Sequence, residues 1–494
     1  MELALADALR RALDGLCATG APEVRENGEW LAGLEGVRYE VSTQGEAALL
    51  HMWSSQQSLV RRVLRVADES ENRVLLEVSR LGYSRPAQLE FVAGGVPRET
   101  RRVDREQFSG RLRRILTDHF PDENVESLAS SQDLHRSISG SYARGIVRRG
   151  SAAYAVLAAS PNEDAATIDG ILTFGLIWLQ HARDRARRYS VHGLRLFLPR
   201  GSSTVTAHRM SALAFPQEVE LYEYEPLYWQ VRRIARSNTG NLATWIVARR
   251  EIDQIIAGAM PMAERIQRLA PDAIQVGVAP GTQEVTLRFR GVEFARWRLA
   301  AMWYGLGDRQ DILTPDRWPA LESLVRKLET HRHSLAQDTK HRFYRAQPER
   351  WLETMVAADP SRIQARLDPR QIYAQVPAFS TGDRGIIDLL GVTRDGRLAV
   401  LELKASEDIQ LVMQAVDYWL RVRFHHTQDD FRRYGYFPGI ELNGKAPLLF
   451  LVAPGFRFHP STDIILRSLS PEIEIARIGL AENWRRGLRV VLRQ

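Results

Sequence analysis

Apolar and polar residues alternate along the chain with two different periods. Over residues 37–92, short β-type runs are separated by Gly, Asp, Glu, Ser and Asn, a pattern that is typical of antiparallel strands. Residues 1–25 instead space their apolar side chains as one face of a helix does. These patterns predict a small β-rich domain with an N-terminal helix over residues 1–100.

Beyond residue 100 the pattern changes to alternating helices and strands, which favours an α/β fold. A helix is predicted over 105–120, followed by strands at 124–130, 141–148 and 153–160 and then by alternating helices and strands to residue 225. From Pro348 the same order, α-β-β-β-α-β-α-β, recurs. We therefore expect two domains with an αβββαβ core, at 101–226 and 345–494, joined by a region of helices and a β segment at 227–344.

Single residues also recur between these two domains at a constant offset of 246 positions. Seven identities support the offset: Gly145, Arg148, Gly150, Ala153, Leu157, Ala159 and Ser160 each have the same residue type 246 positions later. Two unrelated hairpins rich in Ala and Arg would be the simpler explanation. The repeated order of elements favours an internal duplication.

Composition narrows the classes of protein without naming one. The single cysteine, Cys17, excludes an intramolecular disulfide and a cysteine-rich zinc site. The N-terminus lacks the uninterrupted apolar core of a signal peptide, and no run of about 18 uncharged apolar residues occurs elsewhere, so we expect a cytoplasmic location and no membrane span. The net charge of +7 is compatible with phosphate contacts to nucleic acid, although many arginine-rich proteins bind none.

The stretch "GIIDLLGVTRDGRLAVLELKAS" (385–406) carries charged residues in strands that otherwise have a core pattern. Glu402 and Lys404 are two residues apart and so share one face of a strand. If residues 394–396 form a three-residue hairpin loop with Gly396 left-handed, Asp388 lies directly opposite Glu402. Two opposed carboxylates repel each other, so a compensating cation is expected.

Oxygen ligands of this kind suit Mg²⁺, which often uses one or two carboxylates together with substrate phosphates. Two acids and a lysine on one patch therefore suggest phosphodiester hydrolysis, with Asp388 and Glu402 as metal ligands. Lys404 would orient or deprotonate the attacking water and neutralise developing charge. A buried structural ion cluster is the alternative, but it requires the desolvation of three charges.

The residues of this hairpin resemble those of the PD-(D/E)xK nuclease superfamily. Asp388, followed fourteen residues later by Glu402-Leu403-Lys404, matches its first-strand acid and second-strand E-x-K in type and order. The resemblance covers about 345–480 and departs in one respect, because no proline precedes Asp388. It implies a restriction-endonuclease-like fold, dependence on Mg²⁺ or Mn²⁺, and DNA as the substrate.

The resemblance extends to two neighbouring helices. "QAVDY" is similar to the Q-x-x-x-Y element of RecB-type members, which implies that Gln414 and Tyr418 face the site. "PERWLE" is similar to the first-helix glutamate of resolvase-like and mismatch-endonuclease-like members. Glu349 and Glu353 lie one helical turn apart, and Glu349 is the preferred catalytic candidate with Glu353 in support.

The offset of 246 predicts that the first domain has lost this chemistry. Asp388, Glu402, Lys404 and Gln414 correspond to apolar or phenolic positions, namely Tyr142, Val156, Ala158 and Ile168. We therefore expect a degenerate first nuclease-like domain and an active second one. The aromatic stretch that follows the first domain, "LYEYEPLYWQ" (221–230), either belongs to the core or stacks on nucleic-acid bases.

These features predict a metal-dependent DNA endonuclease of repair or defence. The alternative is a non-catalytic DNA-binding or scaffold protein that retains the fold. Nothing in the residues distinguishes DNA from RNA. A single active site cuts one strand at a time, so cutting of both strands requires a homodimer or two binding events, and partner proteins of a repair or defence system are a further expectation.

Overall fold

The computed structural model describes most of the chain and divides it into two compact units. The described residues are 2–18, 22–26, 29–33, 38–44, 47–53, 58–70, 73–79, 86–92, 102–130, 138, 141–226, 228–235, 237, 244–279, 282–307, 309–380 and 385–494. The first unit comprises Met1–Asn241, Glu407–Met413 and Phe458–Pro471. The second unit comprises Leu242–Ser406, Gln414–Arg457 and Glu472–Gln494.

The N-terminal part of the first unit is a helix packed on an antiparallel sheet. The helix is α1 (Glu2–Ala18). The strands are β1 (Glu23–Glu26), β2 (Glu29–Gly33), β3 (Arg38–Gln44), β4 (Ala47–Trp53), β5 (Ser58–Ser70), β6 (Arg73–Ser79) and β7 (Ala87–Val92), in the sheet order β2-β1-β7-β6-β5-β4-β3. Leu9, Leu13 and Leu16 of α1 join the buried core of this sheet, so the predicted N-terminal helix and the strands that follow it are present in the described residues.

The rest of the first unit contains a mixed sheet. Its helices are α2 (Arg102–His119), α3 (Ala165–Asp169), α4 (Ile171–Arg185) and α5 (Thr204–Met210). Its strands are β8 (Asn124–Ala129), β9 (Tyr142–Arg149), β10 (Ala152–Ala159), β11 (Ser190–Pro199), β12 (Val219–Tyr224) and β13 (Val231–Arg233). The sheet order is β13-β12-β11-β10-β9-β8, and only the β10–β11 and β11–β12 pairs are parallel.

The second unit contains two sheets within the described residues. The strands are β14 (Thr244–Ile246), β15 (Ile274–Val278), β16 (Val285–Phe289), β17 (Val292–Arg298), β18 (Ala301–Leu306), β19 (Arg309–Ile312), β20 (Leu367–Ser380), β21 (Ile386–Thr393), β22 (Leu398–Leu403), β23 (Leu448–Pro454), β24 (Ile475–Leu480) and β25 (Val490–Arg493). Strands β15 to β19 form an antiparallel sheet in sequence order. The other sheet has the order β14-β20-β21-β22-β23-β24-β25.

The remaining helices are α6 (Arg249–Gln267), α7 (Trp318–His331), α8 (Arg342–Arg345), α9 (Pro348–Ala358), α10 (Leu411–Thr427), α11 (Asp430–Arg433) and α12 (Thr462–Arg467). Trp351, Leu352 and Val356 of α9 pack against the buried residues of β21 to β24. Of the described helices, none combines the length and the apolarity that a bilayer crossing requires. The protein is therefore a mixed α/β chain, as predicted from the alternating pattern.

Strands β8–β13 and β20–β25 have the same order and the same directions. In each set the first three strands are antiparallel neighbours, the next two add in parallel, and the last is antiparallel. We call β8–β13 with α2 the first repeat and β20–β25 with α9 the second repeat. This agreement is what an internal duplication predicts. The boundary expected near residue 100 lies outside the described residues.

The register corrects the residue correspondence that the constant offset predicted. Gly145 pairs with Val156, eleven residues on, whereas Gly391 pairs with Ala399, only eight residues on. The turn therefore lies farther along the chain from Gly145 than from Gly391, and one offset cannot hold on both strands of the hairpin. In the first repeat Tyr142 lies opposite Ala159.

Val156 and Ala158 pack in the core with α2, whereas in the second repeat Leu401 and Leu403 pack in the core with α9. Glu402 and Lys404 lie on the other face, so the correspondence of Glu402 with Val156 and of Lys404 with Ala158 is wrong. If Tyr142 corresponds to Asp388, the residue across the ladder that corresponds to Glu402 is Ala159. Neither Tyr142 nor Ala159 carries a carboxylate, so the first repeat still lacks the pair of acids.

A buried guanidinium holds the start of α9 in the second unit. Arg332 is fully buried and directs its five N–H groups at backbone carbonyls, at distances of 2.6 to 3.3 Å. The acceptors are Arg290, Phe343, Ala346 and Gln347. Its guanidinium carbon also lies 4.6 Å from the centre of the Trp351 ring. Burial, reinforced by nearby arginine charges, lowers the pKa of Arg332 to about 9.

We expect Arg332→Lys to destabilise the second unit strongly. An ammonium has three donors and cannot satisfy five bonds, and each buried acceptor left unpaired costs about 1–3 kcal/mol. The free energy of unfolding, measured by urea titration with tryptophan fluorescence, should fall by about 3 kcal/mol or more. The matched control is Arg326→Lys, at an exposed position of α7, which should leave the titration unchanged. Identical urea titration curves for Arg332→Lys and Arg326→Lys would show that Arg332 does not anchor the start of α9.

Candidate active site

The hairpin between β21 and β22 has the geometry that its sequence predicted. Gly396 adopts a φ of +82°, and the Thr393 N–H donates to the Arg397 carbonyl at 2.8 Å. A Cβ at position 396 would lie 2.0 Å from the Glu441 carbonyl oxygen, so both the backbone conformation and the space require glycine. The predicted three-residue loop is confirmed.

The register of this hairpin brings the two predicted acids to neighbouring positions. The ladder runs from Val392–Leu398 to Leu389–Leu401. Its next step places Asp388 across from Glu402. Beyond that step a side chain replaces the backbone as hydrogen-bond acceptor. The Asp388 Oδ2 accepts the Leu403 N–H at 3.1 Å.

Glu402 and Lys404 occupy the face of β22 that is turned away from α9. Leu401 and Leu403 belong to the core cluster with α9, and the alternation of a strand sends residues 402 and 404 to the other side. The Glu402 side chain is 1% exposed and the Lys404 side chain 12%. The Lys404 Nζ lies 3.6 Å from Glu402 Oε1, so the ammonium offsets part of the cost of burying this carboxylate.

Arg350 of α9 bridges two carboxylates of the site. Its Nη1 donates to Glu353 Oε2 at 2.5 Å and lies 3.5 Å from Asp388 Oδ1. Burial alone would lower the pKa of Arg350, but the charges of Glu353 and Asp388 raise it. Arg350 therefore stays cationic and neutralises part of the negative charge that the acids bring together.

Glu353 of α9 has a strongly perturbed titration. Burial raises the pKa of Glu353 to about 7, the charge of Asp388 adds to this rise, and Arg350 opposes it. The Gln375 Nε2 also donates to Glu353 Oε2 at 2.6 Å. The side chain predicted as a supporting residue is thus held by two donors and lies within electrostatic range of Asp388.

Glu349 has a different environment from Glu353, although both project from α9. Its Oε1 accepts the backbone N–H of Ala405 at 3.3 Å and the Ser406 hydroxyl at 3.4 Å. These two residues directly follow Lys404 at the end of β22. Glu349 therefore ties α9 to the end of β22, one residue away from the predicted catalytic lysine.

Helix α10 contributes the glutamine and tyrosine that the Q-x-x-x-Y pattern predicted. The Gln414 Nε2 donates to the Tyr418 hydroxyl at 3.2 Å. Burial, followed by the charges of Glu402 and Asp388, raises the pKa of Tyr418 well above its ordinary value. Tyr418 therefore lies within electrostatic range of both strand acids, and Gln414 reaches the site through it.

The five-stranded sheet also contributes to the site. Arg288 of β16 lies within electrostatic range of Glu353 and Arg350, and burial lowers the pKa of Arg288. At the following turn Gly291 (φ +87°) approaches the α9 backbone so closely that a Cβ would lie 2.4 Å from the Arg350 carbonyl carbon. This sheet therefore supports the first turn of α9.

The structure places all seven predicted site residues around one hairpin and two helices of the described chain. Sequence reasoning missed Arg350, Gln375 and Arg288. Arg350 has a local signal, since it precedes Glu353 by three residues on a helix, the spacing of an ion pair. Gln375 and Arg288 have none, because strand pairing and sheet packing bring them to Glu353.

The carboxylates suit a magnesium-type ion better than a metal that requires many protein ligands. Among the described residues, no three His, Cys, Asp or Glu side chains are grouped closely enough to hold a metal ion. Asp388 and Glu402 occupy the position that follows the last ladder pair, Leu389–Leu401, whereas Glu349 and Glu353 are engaged with other donors. Mg²⁺ is commonly bound through one or two carboxylates, waters and substrate phosphates, so a two-acid set fits it.

Comparison with known proteins adds no family. No protein-family model matches the chain, and no curated protein matches it. The arguments about this site therefore depend on its residues and their geometry.

We expect Glu353→Gln to change how stability depends on pH. A native pKa of about 7, above the unfolded value of 4.5, means that the folded chain retains an extra proton between these pH values. Stability from this group is fully present below the unfolded pKa and is lost as the pH rises through about 7. The loss amounts to about 3 kcal/mol at most, from about 1.4 kcal/mol per pH unit.

Glu353→Gln removes this loss, so its stability relative to the wild type should increase between about pH 5 and pH 8. Urea unfolding in EDTA at several pH values measures the difference. The control is Glu441→Gln, at an exposed position of the same unit. A constant difference between wild type and Glu353→Gln across this range would show that Glu353 titrates normally.

Proposed function

We propose that the second repeat is a metal-dependent nuclease domain that hydrolyses phosphodiester bonds, with DNA as its substrate. The observation that carries the proposal is the hairpin register, which sets Asp388 beside Glu402 and leaves Lys404 3.6 Å from Glu402. Two carboxylates next to an amine suit metal-dependent phosphodiester hydrolysis, in which acids hold the ion and a cation offsets the charge that develops on the phosphate. The resemblance to PD-(D/E)xK nucleases, and with it a restriction-endonuclease-like fold, belongs to this proposal.

In this proposal Asp388 and Glu402 hold Mg²⁺ or Mn²⁺. When bound, the ion polarises the phosphoryl group and lowers the pKa of a coordinated water. Lys404 orients that water and neutralises charge that develops on the phosphate. Tyr418 and Gln414 line the same face, and Glu349 holds the end of β22 in place.

Arg350 gains a role that sequence reasoning did not foresee. Its guanidinium is planar, is kept cationic by two carboxylates and is about one third exposed. A guanidinium of this kind is well suited to bidentate contact with a phosphate. We propose that Arg350 exchanges its long 3.5 Å contact with Asp388 for a substrate phosphate when the metal arrives.

The second candidate function is a non-catalytic nucleic-acid-binding or scaffold domain. The favouring observation is the pairing of Arg350 with both Asp388 and Glu353, which balances the acids without any metal. A protein that only binds nucleic acid has no need to free Asp388 for a metal, so Arg350 could stay paired with both acids. The two functions therefore differ in whether a divalent ion produces cleavage.

The decisive experiment is a cleavage assay on single-stranded, duplex, branched and mismatched DNA and on RNA. We expect Mg²⁺- or Mn²⁺-dependent cleavage by the wild type that EDTA abolishes. Asp388→Ala, Glu402→Gln and Lys404→Ala should each lower the rate by at least about 100-fold.

Matched controls come from the same unit. Asp395→Ala changes an exposed acid at the tip of the same hairpin, and Lys445→Ala changes an exposed lysine. Both should retain the wild-type rate. Equal cleavage by the wild type and the three site variants would place the activity elsewhere, and metal-independent binding without cleavage would favour the scaffold function. The same assay on duplex DNA shows whether one strand is nicked or both strands are cut. The result bears on whether the protein acts as a homodimer and on the proposed role in repair or defence.

A further inference from the structure

A pocket in the first unit lies between α2 and the β12–β13 hairpin. It has a volume of about 600 Å³, within the usual range of small-ligand sites. Its lining combines cationic and aromatic side chains, and we call it the α2 pocket. The lining residues are Arg111, Arg114, Ile115, Asp118, His119, Pro226, Tyr228, Trp229, Gln230 and Val231.

One wall of the α2 pocket is a firmly held tryptophan. The Trp229 ring stacks on Tyr224 at 5.3 Å between ring centres, with the planes 10° apart. Tyr224 is fully buried, and its hydroxyl donates to the Ala159 carbonyl at 2.7 Å. The guanidinium carbon of Arg111 lies 5.0 Å from the centre of the Trp229 ring. Trp229 is thus held between a core aromatic residue and a surface cation.

The backbone of this wall adopts a conformation that non-glycine residues rarely occupy. Trp229 has a φ of +59°, and its N–H donates to the Glu225 carbonyl at 2.7 Å. The Glu225 N–H in turn donates to the Gln230 carbonyl at 2.9 Å, which closes the loop. Such strain persists where the surrounding contacts over-determine it, and it is enriched at ligand-binding sites.

The preceding residue of this rigid loop presents an aromatic ring to solvent. Tyr228 is 76% exposed, whereas Tyr222 and Tyr224 of the same stretch are buried. The aromatic stretch 221–230 therefore divides into core residues and one exposed ring. An exposed aromatic side chain on a fixed loop can stack on a planar ligand with little loss of conformational entropy.

The cations of the α2 pocket are available to an anion. Arg111 and Arg114 are exposed, one turn apart on α2, and neither forms an ion pair with a described carboxylate. Asp118 is the acid of the lining, and exposed His119 lies beside it. Two guanidinium groups beside an exposed aromatic ring match the phosphate and the base of a nucleotide.

We propose that the α2 pocket binds a nucleotide, with its base stacked on Tyr228 and its phosphate contacted by Arg111 and Arg114. The nucleotide is either free or one unit of a single strand, because both present the same phosphate and base. This site belongs to the first repeat and does not depend on the proposed nuclease site. It assigns a binding function to the repeat that lacks the acid pair.

Fluorescence anisotropy on the full-length protein in EDTA tests the proposal and prevents metal-dependent cleavage. The probes are labelled oligo(dT), an abasic oligonucleotide of equal length, and unlabelled thymidine monophosphate as competitor. Tyr228→Ala should weaken oligo(dT) binding about tenfold. Arg111→Ala combined with Arg114→Ala should weaken it too and, because one phosphate contact is lost, reduce the slope of log K against log salt by about 0.7.

Two matched variants control for general effects. Arg113→Ala removes an exposed arginine of α2 outside the lining, and Phe215→Ala removes an exposed aromatic residue elsewhere in the first unit. Both should bind as the wild type does. All variants should keep the wild-type melting temperature.

The competitor and the abasic probe distinguish a free nucleotide from a nucleotide within a single strand. Competition by thymidine monophosphate at micromolar concentration indicates a free nucleotide as ligand, and its absence indicates a strand. The abasic oligonucleotide has no base to stack on Tyr228. It should therefore bind weakly, and with the same affinity to the wild type and to Tyr228→Ala. Unchanged oligo(dT) binding in both the Tyr228 and the double arginine variants would overturn the proposal.

Discussion

The candidate site depends on one buried cation, Arg332, which no carboxylate of the described residues pairs with. The Arg332 guanidinium binds backbone carbonyls on both sides of it, from the β16–β17 turn at Arg290 and from the segment that leads into α9. Removing a charge from water is costly, and the five hydrogen bonds to four backbone carbonyls make this burial tolerable. These bonds set where α9 begins, and α9 carries Glu349, Arg350 and Glu353 towards the hairpin.

The same turn constrains α9 a second time, through close packing. Gly291 approaches the Arg350 backbone at a distance that leaves no room for a Cβ. The five-stranded sheet is therefore more than a neighbour of the second repeat, because it supports the helix that neutralises Asp388. A change in this sheet would displace Arg350 before it altered any predicted catalytic residue.

Charge balance explains how several acids can share a partly buried site. Arg350 offsets Asp388 and Glu353, and Lys404 offsets Glu402. In the proposed nuclease, a divalent ion would enter by replacing the Arg350 contact with Asp388. Arg350 does not fully offset the burial of Glu353 and its repulsion by Asp388, and the pKa of Glu353 is therefore raised.

The local parts of this structure could be predicted from the sequence, whereas long-range register and packing could not. The "TRDGR" hairpin and the sharing of one face by Glu402 and Lys404 follow from turn chemistry and from the two-residue period of a strand, which involve only neighbouring residues. The correspondence of Val156 with Glu402 failed because the position of the turn, and not residue identity, sets the pairing of β9 with β10. Arg332, Gln375 and Arg288 acquire their roles only when segments far apart in the chain pack together. Such contacts leave no periodic trace in the sequence, and the tertiary structure alone decides them.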